Sequence, residues 1–249
     1  NGLLDTLKEN GDLNGKSNTL LPLYTPQGIK AKRVLFVGLG KKDKFGLKSL
    51  KKAVGAVTQW LKNSQVETAT FALLESCGER SISLPTLLHA LGGALYRYEA
   101  HKSKKTPPLS LTKVVISLAN ECDDCHNALR YGEALINGMN FAKDLGNAPG
   151  NVIYPETLAN EARKLGEAFP AITVKVLEKP ALEELGMGAL LGVAQGGKPP
   201  RLIVLEYNNQ GREKPLALVG KGVTFDTGGI SLKPSAQMDE MKFDMCGAA

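Results

Sequence analysis

Residues 33–40 read RVLFVGLG, an apolar run that ends at two glycines. Branched and aromatic side chains in a short run indicate a buried strand, and the glycines allow the sharp turn that ends it. Residues 48–62 follow with apolar side chains at helical spacing, which predicts an amphipathic helix. A strand, a turn and a helix in succession predict the first unit of an α/β fold.

The same alternation continues through the rest of the sequence. It is typical of an α/β protein with a mostly parallel sheet. The turn cluster GNAPGN at residues 146–151 is the best domain boundary. We therefore predict an N-terminal α/β domain at residues 1–123, a long linking helix at 124–146 and a C-terminally incomplete second α/β domain at 147–249. Strands are predicted at residues 67–75, 111–118, 173–177, 202–207 and 216–219, and helices at residues 84–98, 124–145, 155–169 and 180–185.

The composition is that of a soluble globular protein, with 43% hydrophobic and 22% charged residues in 249. No apolar run approaches the roughly 18 residues that a membrane span requires, so we expect no membrane contact. The four cysteines do not indicate a disulfide framework in a chain of this length. A reducing, cytoplasmic setting is the expectation.

The formal net charge of +6 permits contact with nucleic acid. The lysines are spread through residues 41–52, 102–105 and elsewhere, without interleaved aromatic side chains. We interpret them as a solvated surface, and binding of a polyanion is the alternative.

Residues 122–126 read CDDCH, which matches the attachment pattern of a c-type haem. Haem attachment would require an oxidising compartment and is usual in small helical domains. Asp123 and Asp124 instead suit the amino-terminal end of a helix, where the helix dipole favours negative charge. We interpret the motif as a helix start rather than as a haem, redox or zinc site.

Charged side chains of both signs follow the predicted strand at residues 216–219. Lys221, Asp226, Lys233 and Asp244 stand there among glycines. Such charges beside a buried strand are costly unless they pair or hold a metal. Carboxylates suit Mg²⁺, Mn²⁺ or Zn²⁺, and a lysine beside a cation can lose its proton and ligate through neutral nitrogen. Spacing alone leaves two interpretations open, a metal site and ordinary lysine–aspartate ion pairs.

Other hydrolytic sites find no support in the sequence. The histidines, His89, His101 and His126, form no HExxH pair, and there is no Gly-x-Ser-x-Gly nucleophile motif. A phosphate-binding role for the glycine-rich stretch is disfavoured, because its aspartates would repel an anion.

Residues 220–234 read GKGVTFDTGGISLKP, and residues 241–249 read MKFDMCGAA. Together they closely resemble the core motif of the leucine aminopeptidase (cytosol aminopeptidase) family. Upstream, DLGNAPGN at residues 144–151 and the segment at residues 186–196 are similar to further segments of that family. The resemblance covers nearly the whole chain and is strongest after residue 144.

The resemblance implies an N-terminal α/β domain joined by a long helix to an α/β metallopeptidase catalytic domain, assembled as a homohexamer. It implies an enzyme with two divalent metal ions, Mn or Zn with Mg possible. Such an enzyme removes N-terminal residues from peptide substrates and prefers leucine or other apolar side chains. Two adjacent metals can bind a substrate and activate water for this reaction.

The family pattern also implies a role for each matching residue. Lys221, Asp226 and Asp244 would hold one metal, and Asp226 would bridge to the second. Lys233 would be catalytic and substrate-binding, because its charge would stabilise the oxyanion at the scissile carbonyl. Met241 would line the pocket for the first side chain of the substrate.

One family motif, Asn-Thr-Asp-Ala-Glu-Gly-Arg, is not found in the sequence. It supplies further acidic and basic residues to the site, so we expect this chain to be an incomplete, inactive piece of a longer enzyme. The alternative is a DNA-binding regulator of the same family, acting through its basic surface. A non-catalytic structural subunit is disfavoured by the presence of all four charged residues of the motif.

Overall fold

The computed structural model describes residues 2–74, 80–118, 124–207 and 214–249, without the side chains of residues 80 and 81. The chain divides into two compact units, Asn1–Asn140 and Phe141–Ala249. None of the helices in these described ranges has both the length and the apolarity of a membrane span.

The first unit alternates helices and strands, as the sequence predicted. β1 and β2 pair antiparallel, whereas β3 and β4 pair parallel. The α/β class is therefore confirmed, but the first pairing differs from the mostly parallel sheet that was expected. The reason is the connection: a short loop joins β1 to β2, while a helix crosses over between β3 and β4. The elements are α1 (Gly2–Glu9), β1 (Leu20–Tyr24), β2 (Arg33–Val37), α2 (Leu47–Lys62), β3 (Thr68–Phe71), α3 (Arg80–Leu95), β4 (Lys113–Ile116) and α4 (Cys125–Asn147), the last running past the division between the units.

The core of the first unit lies between α2 and α3. Leu50 and Val54 of α2 and Leu87 of α3 are fully buried, and Ala128 of α4 belongs to the same cluster. The buried positions of α2 recur at the helical spacing seen in the sequence, which places one apolar face against the core. Packing of this face is what holds the first unit together.

A carboxylate fixes the basic loop that follows α3. Glu99 accepts hydrogen bonds from the Thr106 N–H at 3.1 Å, from Thr106 Oγ1 at 3.0 Å and from Lys102 Nζ at 3.0 Å. The bond from the Thr106 N–H, followed by the bond from Lys102, lowers the pKa of Glu99 to about 2. The loop of residues 102–108 is therefore tied to an ionised side chain.

Glu99→Gln is expected to loosen this loop, because a neutral amide accepts weaker hydrogen bonds than a carboxylate does. The pKa in the folded protein lies below the ordinary value of 4.5, so the stabilisation is complete above that pH and is lost as pH falls towards about 2. The Thr106 amide proton resonance should move upfield in the variant at neutral pH, and in the parent chain on acidification. Glu133→Gln, on an exposed face of α4, is the control. An unchanged Thr106 resonance in Glu99→Gln would contradict the expectation.

The second unit contains a two-stranded antiparallel sheet, β5 with β6, within the described residues. Pro155 stands in the first turn of α5, where its missing N–H costs no hydrogen bond. Leu158, Ala159, Ala162 and Leu182 are the buried apolar residues of the two helices that flank β5. The elements are α5 (Pro155–Ala168), β5 (Ile172–Leu177), α6 (Lys179–Glu184), α7 (Gly188–Val193), β6 (Leu202–Tyr207) and 3₁₀ segments at Ala194–Gly196 and Met238–Met245.

The strand predicted at residues 216–219 is wrong. These residues form no strand, and Leu216, Leu218 and Val219 are 86%, 88% and 98% exposed. A strand requires a neighbour for its backbone hydrogen bonds. Within the described ranges β6 pairs with β5 alone, and no strand pairs with this segment. Residues 216–219 have the apolar composition of a strand, but no strand of the described ranges pairs with them.

The helix start predicted at residues 122–126 is confirmed from Cys125 onward. Cys125 is disulfide-bonded, which corrects the expectation of reduced cysteines, and Cys246 is free. The predictions made for the cysteines and for the domain boundary also involve residues outside the described ranges. These residues are Cys77, Cys122 and Asp123.

Candidate functional site

Two segments of the second unit build the site, the glycine-rich loop at residues 220–233 and the 3₁₀ segment Met238–Met245. The Asp226 N–H donates to the Met241 carbonyl oxygen at 3.4 Å, which joins the two segments. Within the loop, the Lys233 N–H donates to the Thr227 carbonyl oxygen at 2.9 Å. These backbone bonds bring the side chains of Asp226, Lys233 and Met241 to one place.

Lys221 and Asp244 form the first ion pair of the site. Lys221 Nζ donates to Asp244 Oδ2 at 2.7 Å, with the lysine side chain 55% and the aspartate side chain 22% exposed. A pair this exposed stabilises a fold by only about 0–1 kcal/mol. The pair therefore contributes little to stability. It matters for the site because it places the Lys221 amine beside the Asp244 carboxylate.

Asp226 lies at the centre of the site. Its Oδ2 is 3.1 Å from Lys233 Nζ, and its Oδ1 accepts the Gly228 N–H at 2.9 Å. The hydrogen bond from Lys233 is the main cause that lowers the pKa of Asp226, followed by the Gly228 N–H and then by a hydrogen bond with Asp244. Asp244 therefore lies near enough to Asp226 to influence its charge.

Lys233 has a second partner in this site. Its Nζ lies 3.1 Å from Met241 Sδ, so the ammonium group sits between a carboxylate and a thioether. Sulfur is a weak acceptor, so this contact holds the lysine loosely on one side. The lysine can therefore turn towards a stronger acceptor without breaking a strong bond to sulfur.

Gly220 permits a close backbone contact that positions Lys221. A Cβ on Gly220 would overlap the Gly247 carbonyl oxygen and would lie 2.6 Å from Ala248 Cα. No side chain fits this position, so the loop rests directly on the backbone that follows Asp244. A similar contact lies nearby, where a Cβ on Gly146 would lie 2.7 Å from Cys246 Sγ.

Gly220→Ala is expected to push the loop away from residues 247–248. Overpacking of this kind typically costs about 1–3 kcal/mol, which corresponds to a change in local opening of about 5-fold to 150-fold. Hydrogen exchange at the Cys246 and Ala248 amides, both hydrogen-bonded in the structure, should speed up by about that factor. Gly222→Ala is the matched control, because its Cβ would meet Ala248 Cβ at an ordinary 3.5 Å. Equal exchange rates in the two variants would refute the role of the Gly220 contact.

The donor set fits a divalent cation in its chemistry. The two carboxyl groups of the site, Asp226 and Asp244, offer oxygen ligands, and the amine of Lys221 touches that of Asp244. Among the described residues no three His, Cys, Asp or Glu side chains cluster, so the set is smaller than a full coordination shell. The same atoms form two lysine–aspartate ion pairs, which were the alternative to a metal site. The geometry is therefore compatible both with a metal site and with ordinary ion pairs.

Two family descriptions match the chain. "Cytosol aminopeptidase family, N-terminal domain" matches residues 1–105, and "Cytosol aminopeptidase family, catalytic domain" matches residues 140–249. The chain belongs to the cytosol aminopeptidase family. The resemblance seen in the sequence motifs is thereby confirmed.

Relatives in this family align with the whole of the chain. The cytosol aminopeptidase of Pseudomonas aeruginosa (strain PAO1) is 44% identical over 255 residues, and the match covers 100% of this chain and 51% of the relative. The probable cytosol aminopeptidase of Nitrosococcus oceani is 40% identical over 256 residues, with the same coverage. The chain therefore spans about half the length of these relatives.

A solved structure shares the fold. "Bottromycin maturation enzyme BotP in complex with Mn" superposes with a TM-score of 0.78 at 28% identity, over 98% of this chain and 50% of that chain. This similarity supports the α/β class across both units of the chain.

The site residues predicted from the sequence all lie in one cluster. Sequence reasoning missed the backbone contact of Gly247 with the loop. The glycines signalled that the backbone turns sharply or packs closely, but only the folded chain shows what they pack against. The predicted residues are Lys221, Asp226, Lys233, Met241 and Asp244.

Proposed function

We propose that the chain is the first half of a two-metal leucyl aminopeptidase, which releases leucine or another apolar residue from the amino terminus of peptides. The observation that carries the proposal is the presence of two ion pairs in one site, Lys221 with Asp244 and Lys233 with Asp226. It occurs within the segment that matches the family's catalytic domain. The relatives' names as cytosol aminopeptidases support the reaction class.

Lys221, Asp226 and Asp244 would hold one divalent cation, and Asp226 would also reach a second. Bound cations would supply Lewis acidity, which polarises a peptide carbonyl and acidifies a water molecule. Manganese is supported by the BotP complex, while zinc and magnesium are further candidates.

Lys233 and Met241 would act on the substrate. The Lys233 ammonium would turn from Met241 Sδ to the scissile carbonyl oxygen, where it would stabilise developing negative charge. Met241 would then face the apolar side chain of the first residue. A flexible thioether suits such a pocket because it adapts to several apolar shapes.

The proposal includes assembly as a homohexamer that acts on peptides, because the family resemblance implies both. The name of the Pseudomonas aeruginosa relative, a cytosol aminopeptidase, supports a cytoplasmic setting. DNA binding is not proposed, since its support is limited to the charge balance.

The chain alone is expected to hydrolyse leucine p-nitroanilide no faster than buffer, with or without MnCl₂. Two carboxylates and one amine are too few ligands to complete a two-metal site. A chimera that adds the remaining part of the Pseudomonas aeruginosa relative should hydrolyse the substrate and be stimulated by MnCl₂. Release of nitroaniline is the measurement. Robust hydrolysis by the chain alone would disprove its incompleteness, and an inactive, folded chimera would disprove the aminopeptidase proposal.

A further inference from the structure

A cavity of about 290 Å³ lies in the first unit, where the ends of β1 and β2 meet the end of α2. Its volume approaches the lower end of the range that is usual for small-molecule sites. Two aromatic side chains, one cation and three polar side chains line the cavity. They are Tyr24, Arg33, Trp60, Asn63, Ser64 and Gln65. None of these residues belongs to the candidate metal site, so the cavity needs an explanation of its own.

Arg33 provides an oriented positive charge in this cavity. Tyr24 and Arg33 stand directly opposite each other in the pairing of β1 with β2. The Arg33 Cζ atom lies 5.5 Å from the centroid of the Tyr24 ring, a distance at which an aromatic face attracts a guanidinium group. Among the described residues, no carboxylate forms an ion pair with Arg33. Its guanidinium is therefore suited to bind the carboxylate of a ligand.

Two amide side chains of the cavity each keep one unused hydrogen-bonding group. Asn63 Nδ2 donates to the Gln59 carbonyl oxygen at 3.1 Å, while Asn63 Oδ1 accepts from no donor in the described part of the chain. Gln65 Oε1 accepts from Ser110 Oγ at 2.9 Å, and this bond leaves Gln65 Nε2 without an acceptor in the same ranges. The cavity thus offers an acceptor for a cationic group and a donor for an anion.

The aromatic side chains supply the apolar surface of the cavity. Trp60 is partly buried and packs against the core of the first unit, so its indole ring is held in place. Tyr24 is 62% exposed, which leaves its ring accessible to a ligand. Aromatic rings attract one another in offset-stacked or edge-to-face arrangements. The two side chains therefore favour a ligand that carries an aromatic ring.

We propose that this cavity binds a free amino acid with an aromatic side chain. The carboxylate of the ligand pairs with Arg33 and accepts from Gln65 Nε2. Its ammonium group donates to Asn63 Oδ1, and its ring contacts Trp60 and Tyr24. A polyphosphate or nucleic acid is disfavoured as the occupant, because Arg33 is the one cation that lines the cavity. The inference does not rest on the proposed function, since it concerns other residues and a binding event without chemistry.

Trp60 makes this binding directly measurable, because it is the single tryptophan of the chain. Titration of the chain with L-phenylalanine is expected to change the Trp60 fluorescence saturably, with a Kd of about 1 mM or lower, and calorimetry should give the same Kd. Three analogues each lack one recognised group: phenylacetate has no ammonium group, phenethylamine has no carboxylate and L-alanine has no ring. Each should bind at least about tenfold more weakly than L-phenylalanine.

Arg33→Gln should weaken the binding of L-phenylalanine at least about tenfold, because the variant loses the partner of the carboxylate. It should leave the affinity for phenethylamine unchanged, since that analogue has no carboxylate to lose. Lys32→Gln is the matched control. It removes the same charge from the neighbouring exposed residue, which does not line the cavity, and should bind L-phenylalanine like the parent chain. Thermal unfolding of both variants shows whether they keep the fold.

Each other outcome overturns the inference. The site is refuted if neither fluorescence nor calorimetry detects saturable binding of L-phenylalanine. Equal affinities for L-phenylalanine and its three analogues would refute recognition by these groups, and equal losses in Arg33→Gln and Lys32→Gln would refute the role of Arg33. The measurement needs neither metal nor peptide. Failure of binding therefore refutes only this inference, and an inactive chimera refutes only the aminopeptidase proposal.

Discussion

Asp226→Asn in the chimera is expected to lower kcat/KM for leucine p-nitroanilide by at least about 1,000-fold, or roughly 4 kcal/mol of transition-state stabilisation. The Asp226 carboxylate pairs with Lys233 and accepts the Gly228 N–H, so it holds the catalytic lysine of the proposal in the glycine-rich loop. An amide keeps its shape but loses the negative charge that would bind a cation and hold the Lys233 ammonium. Steady-state kinetics at several MnCl₂ concentrations provide the measurement.

The control for this experiment is Asp239→Asn. Asp239 is an exposed acid in the same 3₁₀ segment as Asp244, and it takes no part in the contacts of Asp226. Its replacement should change kcat/KM by less than about twofold. Calorimetric titration of the Asp226→Asn variant with MnCl₂ should show weakened binding, which separates loss of metal from loss of the Lys233 contact. An Asp226→Asn chimera that keeps more than a tenth of its activity would contradict the proposed role.

Leu50→Ala is expected to lower the free energy of unfolding of the first unit by about 2–5 kcal/mol. Leu50 is fully buried on α2, in the cluster that also contains Leu87 and Val54. Removal of its side chain leaves a cavity, and close-packed neighbours can fill it only in part. Trp60 is the single tryptophan of the chain and packs against the same core, so its fluorescence reports unfolding of this unit.

Leu47→Ala provides the comparison, because Leu47 lies on the same helix but is exposed. Its replacement should cost less than about 1 kcal/mol in the same denaturant titration. If both variants lost the same stability, the assignment of Leu50 to the core would be wrong. A change in the slope of the titration would instead indicate an altered denatured state.

The helices could be predicted from the sequence because their signal is local. The spacing of apolar residues at 48–62 corresponds to α2 at Leu47–Lys62, and the pattern at 155–169 corresponds to α5 at Pro155–Ala168. A helix makes its backbone hydrogen bonds within itself, so its own residues contain the information. These predictions are confirmed to within one or two residues.

The strands were harder because their hydrogen bonds lie in other parts of the chain. Residues 202–207 form a strand because β5 pairs with them, whereas residues 216–219, equally apolar, find no partner in the described ranges. The direction of pairing between β1 and β2 likewise depends on the connecting loop rather than on either strand. The apolar composition of a segment predicts that it tends to be buried. Whether the segment forms a strand depends on a second segment that can accept and donate its backbone hydrogen bonds.

The candidate site was predicted in its residues but not in its geometry. The motif around Asp226 identified the acids and lysines, since their types and spacing match a family pattern. It did not predict that Lys221 pairs with Asp244 or that Lys233 pairs with Asp226. Spacing alone allowed either lysine to pair with either aspartate. In the structure the Gly228 N–H binds Asp226 Oδ1, and Asp226 Oδ2 is the atom that pairs with Lys233.

The contact between Gly146 and Cys246 limits which side chains position 146 can carry. The space that a side chain at position 146 would occupy is filled by the Cys246 sulfur, in a helix and a segment a hundred positions apart in sequence. A methyl group at position 146 would therefore require the Cys246 side chain to move or to be shortened. The approach of the end of α4 to the segment that follows Asp244 depends on the absence of a side chain at that one position.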